Sequence, residues 1–424
     1  MSEALQNKQD YWSTVKRRFK KNKRAYVSLY IVAFLAFVAV FSSVLANDKP
    51  LYAKYNGNTY YPVFKAMGVS VGVSKWQKEL LNVEWKDLEY EKVIWPPVPY
   101  SSSSINNSAV YVKPFAKGYA DQHPHLLGTD AIGRDVMAGI IHGTKIAFMV
   151  GFVSMGIAFF IGIIVGGLAG YFGDNTLKVS RATLYFGLLF LILAFFYAFQ
   201  VRSYTLKDSL SEGGIMSFIT SSGISILIFG LVMTVGYFVS RLFKKIPFMG
   251  KKVFLQLDIL LTRGIEVMVS IPTLILIMSV IAVTKPSLIN VMAIIGLTGW
   301  TGIAKFIRAE LLRVRNLEYI EATKALGFSY FTSLFKHALP NALSPVFIAL
   351  AFGMAGAILT ESFLSFLGLG VPIETVTWGS MLSEARSAPH AWWLVIFPGV
   401  AIFMTVTLFN LIGEGLTDAI DPKG

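Results

Sequence analysis

The sequence predicts an all-α, polytopic membrane protein with about eight transmembrane helices and an extracytoplasmic domain after the first. Of its 424 residues, 54% are hydrophobic and 15% are charged, and the mean hydropathy of +0.58 exceeds that of soluble domains. The apolar residues form runs long enough to cross about 30 Å of hydrocarbon. Lysine and arginine residues, which give a formal net charge of +13, cluster beside these runs. This pattern indicates a membrane topology signal and argues against a nucleic-acid-binding domain.

The N-terminal residues 1–24 are strongly basic and are predicted to lie in the cytoplasm, followed by a first transmembrane helix at 25–46. The apolar run from Tyr26 to Ala46 is longer than the roughly 7 to 15 residues of a signal-peptide core. An uncleaved anchor is therefore the favoured interpretation, and cleavage after Ala46 is the alternative.

Residues 47–143 are predicted to form an extracytoplasmic domain. Pro96, Pro97 and Pro99 prevent a continuous helix there. Acidic and basic residues are nearly balanced in this stretch, unlike the basic N-terminus, which is typical of an exported segment.

A second transmembrane helix is predicted at 144–173. Three of its residues, Gly162, Gly166 and Gly170, share one helical face, a spacing that lets the backbone of a neighbouring helix approach closely. The insertion at 174–256 adds two further apolar runs, at 182–201 and 215–240. The loop at 203–213 is expected outside, and the basic loop at 244–254 is expected inside.

A core helical domain is predicted at 257–424. Its four spans are expected at 264–284, 288–304, 342–367 and 392–412, and Pro272 and Pro398 are expected to kink their helices. Eight crossings return the C-terminus to the cytoplasm with the basic loops inside. In the six-span alternative, both runs of the insertion are re-entrant or interfacial and the remaining orientations are unchanged.

Sequence motifs argue against catalysis by this chain. It has no phosphate-binding loop and no His-Glu-x-x-His motif, and it has no cysteine. His123, His125 and His142 are too loosely spaced to indicate a metal site. We therefore expect no catalytic residue, no cofactor and no bound metal.

The cytoplasmic segment 318–340 has the pattern of a helix, a break and a second helix. Gly327 suits the left-handed position after the first helix, and Ser329 suits the N-cap of the second. Pro340 is predicted to end the second helix before the membrane. Local physics alone leaves open whether this segment docks on a partner or is an ordinary loop.

The residues Glu321-Ala322, Gly327 and Leu339-Pro340 resemble, in type and spacing, the EAA motif of bacterial ATP-binding-cassette importer permeases. Thr323 departs from the second alanine of that motif. In the family this segment is the coupling helix that docks in a groove of an ATPase subunit. The resemblance implies that Glu321, Ala322, Gly327, Leu339 and Pro340 couple this chain to an ATPase.

Further stretches resemble the C-type permease of oligopeptide and dipeptide importers and imply a type I importer permease fold. They are 125–130 with 133–135, 365–371 with 378–379, and Asp418-Ala419 with Asp421-Pro422; segments 45–50 and 61–65 are similar to the branch that takes up peptides and microcin C. The resemblance spans the chain except about 174–256. It implies peptide transport in the bacterial inner membrane with a second permease, two ATPase subunits and an extracytoplasmic peptide-binding protein.

Three acidic residues have alternative interpretations. Asp130 is predicted to cap the helix that follows it, a structural role. Glu361, a carboxylate within a span, is the candidate for the translocation pathway, whereas Glu266 is explained more simply by an interfacial ion pair with Arg263. The rival hypothesis is an ion-coupled secondary transporter that uses Glu266 and Glu361, and a receptor-like anchor for residues 47–143 ranks last.

Overall fold

The computed structural model describes residues 13–70, 72–76, 83–116, 123–211, 214–372 and 374–420, and these are mainly helical. Two small antiparallel sheets join strands β1 (Tyr52–Tyr55), β2 (Asn58–Tyr60) and β3 (Lys92–Ile94) in the order β2-β1-β3, and strands β4 (Lys178–Ser180) and β5 (Lys252–Phe254). The helices are α1 (Lys23–Val40), α2 (Ser42–Leu45), α3 (Pro62–Ser70), α4 (Val136–Phe172), α5 (Arg181–Phe195), α6 (Ser203–Ser211), α7 (Gly214–Phe243), α8 (Pro247–Gly250), α9 (Leu257–Ser270), α10 (Thr273–Val283), α11 (Leu288–Val314), α12 (Glu318–Ala325), α13 (Tyr330–Thr332), α14 (Leu339–Ala342), α15 (Ser344–Phe366), α16 (Trp378–Ala385) and α17 (Trp393–Ile420).

Seven of the described helices are long and apolar enough to cross a membrane: α1, α4, α5 with its π-helical continuation Phe196–Gln200, α7, α11, α15 and α17. The pair α9 and α10 also passes this test, but the two helices are bent by 78° where the chain reaches Pro272. Proline removes a backbone donor, so this break agrees with the kink that the sequence predicts at Pro272. Counted as one span, the pair brings the total to eight.

Helices α4 and α11 pack side by side along the predicted glycine stripe. A Cβ atom on Gly162 would lie 2.7 Å from Ile303, one on Gly166 would lie 2.4 Å from the Ala304 carbonyl oxygen, and one on Gly170 would meet the Arg308 carbonyl oxygen at 2.7 Å. Only glycine permits so close a backbone approach. Residue numbers rise together along both helices, so α4 and α11 run parallel.

Parallel packing constrains how the chain crosses the membrane. Since α4 and α11 start at the same end, the chain between them must cross an odd number of times. The α5–α7 hairpin returns to its starting end, where β4 pairs with β5, and contributes an even number. The bent pair α9–α10 must therefore complete one crossing.

The start of α1, the first helix, contacts the end of α17, the last helix. Asn22 caps α1 through its side chain, and its Nδ2 donates to Asp418 Oδ2 in the last turn of α17 at 3.0 Å. Gly415 permits this contact, because a Cβ there would lie 2.1 Å from the Cβ of Ala25. The described ends of the chain thus lie at the same end of the helix bundle, as an even number of crossings requires.

Contacts divide the chain into two compact units, Met1–Tyr171 with Gly264–Gly424, and Phe172–Arg263. The second unit is the α5–α7 hairpin with α6 at its tip and the β4–β5 ribbon at its base. Its helices approach closely at Gly236, where a Cβ would meet the Phe190 ring at 2.5 Å. Near the tip, Arg202 Nε donates to Ser225 Oγ at 3.1 Å.

Several predicted boundaries differ from the structure. Helix α4 begins at Val136 rather than 144, because Asp135 Oδ1 accepts from the Ala138 backbone amide at 2.8 Å and caps it. The predicted cap, Asp130, instead accepts from the amides of Ile132 and Arg134 within the preceding turn, so that assignment was wrong. Helices α11 and α17 continue past their apolar runs to Val314 and Ile420, because their polar ends still favour a helix.

Two prolines lie within helical stretches. Helix α17 continues through Pro398. Pro340 does not end the second helix of the 318–340 segment, because helical structure continues to Ala342. A π-helical turn at Ser333–Ala338 precedes it, in which the Leu339 amide bonds to the Leu334 carbonyl, and this wider turn accommodates a residue that has no amide donor.

Candidate functional site

The segment 318–340 folds as two short helical arms joined by a tight break. Helix α12 ends in a Schellman-type turn in which the Phe328 amide bonds to the Thr323 carbonyl at 3.1 Å. Gly327 has a φ of +78°, the left-handed conformation that its sequence position predicts. Ser329 caps the second arm, since its Oγ accepts from the Thr332 amide at 3.1 Å. The break is therefore built from specific residues at fixed positions.

Two buried hydroxyl groups join the arms. Thr323 Oγ1 donates to the Ile320 carbonyl at 2.7 Å and lies 3.0 Å from Ser333 Oγ. A threonine hydroxyl has one proton, so Ser333 is the donor in the second bond. The threonine that departs from the second alanine of the EAA pattern thus cross-links the arms. A further bond joins Asn341 Nδ2 to the Tyr319 hydroxyl at 2.8 Å.

The inner side of the segment is anchored on apolar packing. Ile320, Leu334 and Ala338 are fully or almost fully buried, and Leu339 is 9% exposed. Between the second arm and α4 lies an apolar cavity of about 230 Å³, lined by Ile163, Ile164, Gly167, Leu168, Phe331, Leu334, Phe335 and Leu339. This packing seats the segment against one of the parallel helices.

The segment also exposes large apolar side chains, and two of them, Phe331 and Phe335, line this cavity as well. Leu326, beside the break, is 74% exposed, and Phe331 is 61% exposed. Phe328 stacks on His337 with ring centroids 5.7 Å apart, and Phe331 stacks on Phe335 at 6.5 Å. A contiguous apolar surface on short, well-ordered helices is typical of a protein-docking site. We call the exposed residues Leu326, Phe328, Tyr330, Phe331 and Phe335 the apolar tip.

The five residues predicted to couple to an ATPase fall into two groups. Glu321 and Ala322 are exposed on α12. Gly327 is exposed, and an added Cβ would find no heavy atom within 4 Å. Leu339 is buried and Pro340 is half-buried, so these two lie on the anchoring side.

The candidate pathway residue Glu361 lies in closed packing. It is 1% exposed, and its Oε1 accepts from Ser365 Oγ at 2.6 Å. Ser362 Oγ lies 3.4 Å from Oε2. These hydrogen bonds of the carboxyl group thus stay within α15. By contrast, Glu266 is exposed on α9.

The stretch 125–135 forms a buried polar cluster with α16. His125 Nδ1 and Asp135 Oδ2 are 2.8 Å apart, and both side chains are almost fully buried. Arg134 bonds to Asp130 Oδ2 through Nε at 2.5 Å and to Glu384 through Nη2. The pKa of Glu384 is raised to about 7, chiefly by burial and also by the Asp130 charge, while Arg134 opposes both effects. Sequence reasoning missed Glu384, because no local signal connects residues so far apart in the chain.

Within the described residues, no group of three or more histidine and acidic side chains is placed to hold a metal ion. The two histidines at 123 and 125 instead contact aromatic rings. Trp95 packs edge-on against His123, and Tyr100 stacks on His125 with centroids 4.2 Å apart.

Comparison with known families agrees with this arrangement. The family model described as "Binding-protein-dependent transport system inner membrane component" matches residues 248–423, which include the 318–340 segment. A second model, "N-terminal TM domain of oligopeptide transport permease C", matches residues 10–62, which include α1.

Individual relatives match nearly the whole chain. The inner membrane ABC transporter permease protein YejE of Escherichia coli is 29% identical over 410 residues, covering 96% of this chain and 95% of the relative. The peptidoglycan transport system permease protein YejE of Agrobacterium fabrum is 26% identical, and the match covers 97% of this chain and 93% of the relative. The oligopeptide transport system permease protein OppC of Bacillus subtilis is 23% identical, and the match covers 97% of this chain and 90% of the relative.

The multi-pass helical architecture, the two family matches and the full-length relatives agree. Residues 248–423 thus match the family of binding-protein-dependent transport system inner membrane components, and the chain is a non-catalytic, multi-pass permease subunit that is similar to permeases of peptide importers over nearly its whole length.

Proposed function

We propose that this permease forms one half of a peptide-conducting pathway, with a second homologous permease, two ATPase subunits and an extracytoplasmic peptide-binding protein. Relatives named for dipeptide, oligopeptide and peptidoglycan transport support peptides or peptide-bearing molecules as the substrate class. The observation that carries the proposal is the apolar tip, a surface of exposed aromatic and aliphatic side chains on a firmly anchored segment.

The proposed mechanism transmits ATPase motion from the apolar tip to the spans. Helix α12 follows α11 after a short turn, in which the Ile320 amide bonds to the Leu317 carbonyl at 2.9 Å. Arg315 Nη1 donates to the Gly170 carbonyl at 3.2 Å and ties this turn to the end of α4. A displacement of the tip would therefore act on α11 and α4 together, because the two helices pack closely along the glycine stripe and Arg315 joins their ends. Such a rigid-body movement is a known route to alternating access.

Each predicted coupling residue receives a specific role. Glu321 presents a carboxylate to the ATPase, Ala322 leaves room for close approach, and Gly327 sets the angle between the arms. Leu339 and Pro340 hold the second arm against the membrane domain. Glu361 would enter the pathway only in a state in which its surroundings repack and expose it, since its side chain is buried here and both its oxygens lie beside hydroxyl groups of its own helix.

Both ends of the chain are proposed to face the cytoplasm. The Asn22–Asp418 hydrogen bond supports a shared side. The basic N-terminal residues, and Lys305, Arg308, Arg313 and Arg315 before the coupling segment, support the cytoplasm as that side.

An ion-coupled secondary transporter is not supported by the comparisons. The exposed position of Glu266 and the closed packing of Glu361 also give no continuous pair of intramembrane carboxylates. Uptake that persists in membranes without ATP, and follows an ion gradient, would favour that alternative.

Cross-linking tests the docking directly, because the chain has no native cysteine. Leu326→Cys in the apolar tip should form a cross-link to an ATPase subunit in native membranes treated with a short bifunctional thiol-to-amine reagent. Lys285→Cys, in an exposed loop between α10 and α11, is the matched control and should not. Equal cross-linking of both variants, or of neither, would contradict the proposal.

A further inference from the structure

The α5–α7 hairpin presents apolar surface along both of its long helices. In the most apolar stretch of 18 residues, only 17% of the residues of α5 and 6% of those of α7 are buried. Exposed apolar side chains such as Leu188, Ile192, Leu227 and Leu231 leave these faces suited to lipid acyl chains. What distinguishes the hairpin is the composition of its base.

The base of the hairpin is densely basic. We call it the basic end, defined by Lys178, Arg181, Arg241, Lys244, Lys245, Lys251 and Lys252. No acidic residue occurs in 175–207 or in 213–257. In the part of the chain that the structure describes, none of these seven residues forms an ion pair. Such a concentration of exposed cations favours the binding of anions from outside the chain.

The β4–β5 ribbon collects part of this charge on one face. Lys178 pairs with Phe254 and Ser180 pairs with Lys252 across the ribbon. Cross-strand partners, and residues two apart in a strand, project to the same side. Lys178, Ser180, Lys252 and Phe254 therefore share one face, and the Arg181 amide bonds to the Lys251 carbonyl at 3.1 Å beside it.

Exposed aromatic rings hold two of the cations. The Arg181 guanidinium lies 4.4 Å from the centroid of the Phe248 ring, and Lys178 Nζ lies 4.7 Å from that of Phe254. Phe248 is 61% exposed and Phe254 is 46% exposed. This combination of cations and exposed aromatic rings at the end of apolar helices is typical of residues at the membrane–water interface, where headgroup phosphates meet acyl chains.

We propose that the basic end binds the phosphate headgroups of anionic phospholipids, whose acyl chains lie along the exposed faces of α5 and α7. Lys178, Arg181 and Lys252 supply the charge, and Phe248 and Phe254 enter the interfacial layer. The role of this site is to fasten the hairpin to an anionic leaflet. This inference concerns the second unit alone and does not depend on the proposed transport function.

Lipid titration of the full-length protein in detergent, followed by native mass spectrometry, tests the site. Phosphatidylglycerol should bind more tightly than phosphatidylcholine with the same acyl chains, and rising salt should weaken the binding. Each basic residue near a lipid surface contributes about a fivefold factor in affinity, so Lys178→Gln with Lys252→Gln should lower it about 25-fold.

Two controls distinguish a site from general attraction. Lys113→Gln with Lys285→Gln removes the same charge from exposed positions elsewhere and should retain wild-type affinity. Lys178→Arg with Lys252→Arg keeps the charge and should retain binding, which guards against misfolding as the cause of loss. Inorganic phosphate at the lipid concentration should not compete. Equal affinity for both lipids, equal loss in the control pair, or displacement by inorganic phosphate would overturn the proposal.

Discussion

Replacing Gly166 with alanine should disrupt the parallel packing of α4 and α11. The new Cβ would lie 2.4 Å from the Ala304 carbonyl oxygen and 3.0 Å from both the Ala304 Cα and the Ile307 Cβ. Two of these three atoms belong to backbone, which cannot rotate away as a side chain can. The helices must separate locally to admit the methyl group.

The neighbouring Gly167 offers a matched control. A Cβ there meets no heavy atom within 4 Å, so the same substitution changes helix propensity without a clash. Overpacking at Gly166 should cost about 1 to 3 kcal/mol. Alanine at Gly167 should instead gain up to about 1 kcal/mol from the lower conformational entropy lost on forming the helix. Because the propensity gain is common to both substitutions, we expect the two variants to differ by the overpacking alone, about 1 to 3 kcal/mol.

The difference can be measured as the midpoint of SDS-induced unfolding of the purified protein, followed by far-UV circular dichroism. Gly166→Ala should unfold at a lower SDS fraction than wild type, and Gly167→Ala at the same or a higher fraction. Equal midpoints for the two variants would refute close packing along this stripe, and with it the parallel arrangement on which the count of crossings rests.

Three further predictions concern topology, pH and the coupling segment. An impermeant thiol reagent should label Thr205→Cys but not Lys251→Cys in cells with a permeabilised outer membrane. Thr205 is chosen because it is exposed, whereas nearby Ser209 is buried. The reverse labelling would show that the hairpin has the opposite orientation in the membrane. The pKa of Glu384 is raised from its ordinary 4.5 to about 7, so the free energy of unfolding should fall as pH rises from about 4.5 through 7, by roughly 3 kcal/mol at most. Thermal unfolding of Glu384→Gln should lack this pH dependence. A pH profile identical to that of wild type would contradict the assignment. Thr323→Val leaves the buried Ser333 hydroxyl without its acceptor and should lower the free energy of unfolding by about 1 to 3 kcal/mol. Adding Ser333→Ala in a double variant should recover part of this loss. Additive losses in the double-mutant cycle would argue against the hydroxyl bridge.

Much of the membrane architecture follows from sequence, because the bilayer imposes simple physical demands. Hydrocarbon requires apolar helices of a minimum length, so the long spans were visible in composition alone. The stripe of Gly162, Gly166 and Gly170 predicted a close helix contact, although only the structure identifies α11 as the neighbour. Gly327 and Ser329 were predictable because caps and left-handed turns are encoded locally.

The features that sequence could not predict depend on residues far apart in the chain or on several competing local preferences. The Arg134–Glu384 pair joins positions whose proximity only the fold creates. Asp130 and Asp135 are chemically equivalent as caps, and the choice between them depends on where α4 packs. Pro340 was expected to end a helix, but a π-helical turn absorbs its missing donor, a solution that proline statistics do not reveal.

The most direct test of the central claim is ATP hydrolysis by the reconstituted complex, stimulated by peptide-loaded binding protein, with substitutions in the coupling segment. Gly327→Leu forces a branched side chain into a left-handed conformation at a cost of about 1 to 2 kcal/mol, and Glu321→Ala removes the carboxylate presented to the ATPase. Both positions are exposed, so both variants should accumulate in the membrane as wild type does. The account predicts that stimulation is strongly reduced in both variants and unchanged in Lys207→Ala, in α6 of the hairpin. Wild-type stimulation in Gly327→Leu and Glu321→Ala would contradict it and show that segment 318–340 is an ordinary loop.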